Sequence, residues 1–159
     1  AYLETGHWER YVGQLRELYR RRRDVMLEAL AAELPAEARW TRPQGGLFIW
    51  ATLPEFVDTT DLLALALHRN VAFVPGRAAY LDGRGGSSMR LNFSGSDEDQ
   101  IREGVRRIGA ITREQVDLYG TLTGGKPTPA RAEPAPRTDL ADVLALPRRE
   151  PDERRRESR

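Results

Sequence analysis

The sequence contains no cysteine, so disulfides and thiolate metal sites are excluded. Histidine is nearly as scarce. His7 and His68 show no ligand spacing, and no metal site is expected. Lysine occurs once, at Lys126; every other cationic side chain is arginine. Any reaction that needs a side-chain amine therefore has a single candidate. No apolar run is long enough to span a bilayer. The first residues also lack the ordered basic, apolar and small segments of a secretory signal. The expected setting is cytoplasmic, with no membrane partner. The formal net charge is +1, which gives no general attraction to nucleic acid, and no nucleic-acid partner is expected. There is no G-x-S-x-G and no serine with a positioned histidine. The residues taken alone predict no catalytic residue and no complete active site.

What is present suffices for a core. The 159 residues, 40% of them hydrophobic, allow one domain, or a smaller domain with a tail. Composition changes near Gly120. Residues 1–119 hold all three tryptophans and most of the periodic apolar pattern. Residues 120–159 begin "GTLTGGKPTPARAEPAPRTD" and end "RREPDERRRESR", the composition of a disordered tail. Within that tail, Asp139 to Leu146, "DLADVLAL", has the pattern of a short amphipathic helical turn.

The body alternates elements. "HWERYVGQLRELYRRRRDVMLEALAAEL" predicts a long helix, with Val12, Leu15, Tyr19, Met26 and Leu30 near one stripe. Pro35 stops it. "GGLFIWATLP" predicts a strand that is apolar on both faces and therefore covered on both. "VDTTDLLALALHRN" predicts a helix capped by Asp58, with Asp61 in its first turn and Val57 and Leu62 as a hydrophobic staple. Asn70 suits a left-handed end. "VAFVPG" is a short strand and "AAYLDGRGGSS" a flexible loop. In "SSMRLNFS", Met89, Leu91 and Phe93 point one way, and Ser88, Arg90, Asn92 and Ser94 the other. Ser96 starts a last helix, with Asp97, Glu98 and Asp99 in its first turn. Its buried stripe is Ile101, Val105, Ile108, Ile111 or Thr112, and Val116. The order α-β-α-β-β-α makes a small α/β layer domain.

Arg90 is the leading candidate for function. A guanidinium presents a planar fork that meets a carboxylate with two parallel bonds, and a strand holds it rigidly. On the residues alone, two roles stay open: a structural or solvated cation, and an anion-binding group. The run Arg20 to Arg23 reads as a solvated helix face with ion pairs to Glu17 and to Asp24 or Glu28. Gly45 and Gly46 suit a tight turn. The "GRGG" run lacks the GK[ST] ending and is no phosphate loop.

Taken in order, "GGLFIWATLP", the capped helix, "VAFVPGRAAYLDG", "MRLNFS" and the terminal helix resemble the C-terminal part of class I/II aminotransferases. These are fold-type I pyridoxal-phosphate enzymes, and the likeness is greatest to the 2-aminoadipate and kynurenine aminotransferase group. The resemblance covers about residues 1–118. It implies that residues 1–119 are the small domain with its leading long helix, and that Arg90 binds the substrate α-carboxylate. It implies pyridoxal 5'-phosphate as cofactor, amino acids and 2-oxo acids as substrates, and a homodimeric parent enzyme. The family's Schiff-base lysine and its phosphate and pyridinium contacts belong to the large domain. Lys126, in a Gly/Pro-rich stretch, does not stand in that lysine's context. The chain is therefore expected to be a fragment, inactive by itself, with apolar surface left exposed. Two alternatives remain: an aminotransferase-like effector domain of a transcription regulator, and a non-catalytic interaction module. The "RLNFS" strand favours the enzyme.

Overall fold

A computed structural model describes residues 7–125 together with Ala130. The elements are α1 (His7–Glu33), β1 (Arg39–Trp40), β2 (Phe48–Thr52), α2 (Thr59–His68), β3 (Val74–Pro75), β4 (Ser88–Asn92) and α3 (Glu98–Thr123). A 3-10 turn, Gly76–Ala79, links β3 towards β4. The strands form one antiparallel sheet in the order β1-β2-β4-β3. The expected α/β class therefore holds, but the expected order α-β-α-β-β-α needs correcting: a further strand, β1, precedes β2. At two residues it is too short to show alternation. Only its pairing of Arg39 with Thr52 and Trp40 with Ala51 makes it a strand.

The inner face of the sheet carries Ile49 and Ala51 of β2 and Met89 and Leu91 of β4, all buried. They join Leu30 of α1, Leu62 of α2, and Ile101, Val105, Ile108 and Ile111 of α3 in one core. Each large apolar side chain so buried contributes about 1.5–3 kcal/mol. The other face of β2 is not covered as the sequence suggested. Phe48 is 41% exposed, and Trp50 and Thr52 are half-buried. An apolar strand reads as buried on both faces whether or not the second cover lies in the same stretch of chain.

The helix signals are met in part. Asp58 caps α2, accepting a hydrogen bond from the Thr60 N–H, and Asn70 takes φ 55°. The cap of α3 is Asp97 rather than Ser96. Asp97 and Gln100 form a reciprocal capping box, which the Ser96 register, with Asp99 at its third position, does not offer. In α1 the stripe is buried only at its C-terminal half: Val25, Met26, Ala29 and Leu30 are enclosed, while Trp8 and Tyr11 lie exposed. α3 runs through Thr123, past the composition change at Gly120, and ends at Gly124 with φ 65°. Beyond it, Ala130 is buried; its N–H donates to the Glu37 carbonyl and its carbonyl accepts from Arg39 Nε, each at 3.0 Å. The helical turn expected at Asp139 to Leu146 and the candidate amine at Lys126 lie outside the described residues.

α1 and α3 meet closely at Gly109. A Cβ there would stand 2.5 Å from the Glu33 carbonyl oxygen and 2.9 Å from its carbon. Arg113 of α3 donates to the same carbonyl and pairs with the Glu33 carboxylate. A Cβ on Gly104, also in α3, would meet only Val71, at 3.6 Å, among the described residues. Gly109→Ala is expected to lower stability by about 1–3 kcal/mol through backbone overpacking, despite alanine's better helix propensity. Gly104→Ala is expected to leave it unchanged or raise it by up to about 1 kcal/mol. Urea denaturation midpoints of the two variants check this.

Candidate functional site

The site begins with the register of β2 and β4. Directly opposed residues in an antiparallel pair share a face. Trp50 opposes Arg90, and Phe48 opposes Asn92. On the other side, Val74 of β3 opposes Arg90. Arg90 thus stands on an inner strand, hydrogen-bonded on both edges, with an aromatic and an aliphatic neighbour beside it. Its side chain is exposed. Its guanidinium carbon sits 4.5 Å from the centre of the Phe48 ring. Among the described residues, no hydrogen bond or ion pair engages that guanidinium.

Other arginines are engaged. Arg20 pairs with Glu17, Arg23 with Asp24, and Arg102 with Glu28. Arg22 donates to the Ser94 carbonyl at 2.5 Å, so the four-arginine run is partly a brace against the end of β4. Asn92, on the Arg90 face, shapes the chain locally. Its Oδ1 accepts from the Ser94 N–H at 2.7 Å and lies 2.8 Å from the Ser94 hydroxyl. This turns the chain towards α3.

Three aromatic residues flank the site, and sequence reasoning did not assign them to it. Besides Phe48, Trp50 meets Tyr80 edge-on, with ring centres 5.8 Å apart at 81°. Arg84 lies over the Tyr80 ring at 4.5 Å. Trp50 Nε1 is buried with no hydrogen-bond partner among the described residues. The three tryptophans are scattered along the chain; strand register brings Trp50 beside Arg90. Alternation in "LFIW" was the available signal, since it sets Phe48 and Trp50 on one face.

The "GRGG" connection is packed rather than loose. A Cβ on Gly76 would lie 2.5 Å from the Gly85 carbonyl oxygen and 2.7 Å from that of Ser88. Arg77 ties this corner to α2: it donates to Asp58 Oδ2 at 2.9 Å and to the Gly83 carbonyl at 3.1 Å. The Thr60 backbone N–H, then Arg77, hold the Asp58 carboxyl below its usual range.

A cavity of about 540 Å³ lies elsewhere, lined by Asn70, Asn92, Gln100, Glu103 and Arg107 among others. Arg90 does not line it. Its charges are already matched: Arg107 Nε meets Glu103 at 2.8 Å. Hydrogen bonds from Arg106, then Arg107, hold the Glu103 carboxyl down to about 2. Among the described residues, no cluster of acidic or histidine side chains could hold a metal ion. No described helix is long and apolar enough to cross a membrane.

The profile of the aminotransferase class I and II family matches residues 3–108. The chain belongs to that family. It is 41% identical over 115 residues to aromatic-amino-acid aminotransferase 1 of Thermococcus litoralis, covering 72% of this chain and 28% of the relative. It is 43% identical over 107 residues to the 2-aminoadipate transaminase of Thermus thermophilus, covering 67% and 27%. The crystal structure of Pyrococcus horikoshii kynurenine aminotransferase, in complex with PMP, superposes with a TM-score of 0.69 at 42% identity, covering 72% of this chain and 28% of that one. The chain thus spans less than a third of the length of these relatives. An HTH-type transcriptional regulator of Bacillus subtilis, YhdI, matches at 26% identity over 118 residues.

Asp58→Ala is expected to cost about 1 kcal/mol through the lost cap. The lowered carboxyl pKa sets the sign with pH: the contribution is present above the unfolded carboxylate value, about 4, and fades as pH falls through the folded one. The stability gap between wild type and variant should shrink from pH 6 towards pH 2, as followed by denaturant titration at each pH.

Proposed function

We propose that this chain is the substrate-carboxylate part of a pyridoxal-phosphate-dependent aminotransferase, working in the cytosol within a homodimeric enzyme. In this reading it helps move an amino group between an amino acid and a 2-oxo acid. The observation that carries the reading is Arg90: an exposed guanidinium on an inner strand of the sheet, with no anionic partner among the described residues. A carboxylate is the natural ligand of such a fork, and every amino acid and 2-oxo acid has one beside the reacting carbon.

The same face supports a role alongside further protein. Phe48 is 41% exposed there, and Trp50 Nε1 is buried without an acceptor among the described residues. Both would be relieved by a covering surface that supplies a carbonyl or carboxylate oxygen. The cofactor does not fit the described residues by themselves. None of them is a lysine, so none offers an amine to its aldehyde. We assign this chain no step at the cofactor; its part is to bind and orient the substrate's carboxylate end. Orientation matters because reaction at the α-carbon needs a fixed geometry. The regulator reading ranks below the enzyme, since the matched aminotransferases share far more identity than the regulator does.

Arg90→Lys, introduced into the whole enzyme, removes the two-bond fork while keeping the charge. kcat/KM for amino acid and 2-oxo acid substrates should fall about 30-fold, or about 2 kcal/mol, in steady-state assays. Unchanged kinetics would overturn the assignment. The chain alone, treated with pyridoxal phosphate and borohydride, should show no stoichiometric pyridoxyl label by mass spectrometry. A full label on Lys126 would instead place the amine of the reaction in this chain.

A further inference from the structure

We infer that Phe48 is a positioning residue for Arg90: the face of its ring holds the guanidinium, ready for a carboxylate. The inference rests on the carboxylate-binding role proposed above. The guanidinium carbon lies 4.5 Å from the ring centre, within the range of a cation–π contact. Phe48 opposes Asn92 and Trp50 opposes Arg90, so Phe48 is the diagonal neighbour of Arg90, within reach of a long side chain. Arg90 therefore leans along the sheet towards the Phe48 end rather than across towards Val74.

The chemistry of this hold decides the matter. An acidic neighbour would also fix Arg90, but it would occupy the in-plane N–H groups that a substrate needs. A ring holds the cation through its π face and takes no oxygen acceptor's place, so the N–H fork stays available to a carboxylate. Among the described residues, none of those donors makes a hydrogen bond or ion pair. A free arginine samples many rotamers, and a bidentate contact requires one of them, so a ring that selects the rotamer beforehand lowers the cost of binding. This also gives a reason for a large apolar side chain to be 41% exposed beside a cation.

The test has a spectroscopic and a kinetic arm. In the ¹⁵N-labelled chain without ligand, the Arg90 Nε–Hε signal, assigned by its loss in Arg90→Lys, should be shifted upfield by the ring. Phe48→Leu should return it to the position of a solvated arginine, and Phe48→Tyr should keep the shift. An Arg90 signal that is the same in Phe48→Leu as in wild type would overturn the inference. In the whole enzyme, with L-phenylalanine and 2-oxoglutarate as the substrate pair, Phe48→Leu should raise KM for both about three- to tenfold. kcat should barely change, because the carboxylate contact is the same in ground and transition states. Phe48→Tyr should restore KM. A raised KM in Arg90→Lys beside a wild-type KM in Phe48→Leu would sink the positioning role alone. A wild-type KM in Arg90→Lys would sink the carboxylate role on which it rests.

Discussion

The register between β2 and β4 is the constraint on which the rest depends. It sets Ile49 against Leu91 and Ala51 against Met89, and thereby Trp50 against Arg90 and Phe48 against Asn92. Because successive side chains alternate, a slip of one residue would send the core set outward and the arginine inward. Burial of the first set therefore enforces exposure of the second. The core is the reason Arg90 points where it does, and the cost of burying an unpaired guanidinium works in the same direction.

The helices hold that sheet by different means. α3 comes close to α1 because Gly109 leaves room for the Glu33 carbonyl, and Arg113 then satisfies that carbonyl. α2 is fixed at its start by the Asp58 cap, and Arg77 joins the cap to the turn before β4. Both devices lie on or beside elements that frame the arginine strand. They help fix the position of a residue whose side chain makes no hydrogen bond among the described residues.

Much of this was legible from local pattern. Asp58 as a cap, Asn70 as a left-handed end and the alternation of Met89, Leu91 and Phe93 are short-range features, decided by residues within a few positions of each other. β1 was not legible, since two residues carry no period and its identity is its partner, Thr52 and Ala51. The start of α3 was ambiguous between adjacent capping residues until the Asp97–Gln100 box chose one. The open face of β2 was misread because apolar composition does not say whether, or by what, a face is covered.

For the site, the sequence by itself determined which reactive groups are on offer. It holds one lysine, no cysteine and two histidines without ligand spacing, and sets Arg90 on a strand as the leading candidate. The resemblance in motif order implies an amino-acid carboxylate as the ligand of Arg90, the role proposed above. Only the tertiary structure decided what surrounds Arg90. Phe48 and Trp50 lie some forty residues away along the chain, yet they neighbour it through strand pairing. The physical reason is range: caps, turns and alternation are set by contacts a few residues apart, whereas a neighbour across a sheet exists only once the core has fixed the register.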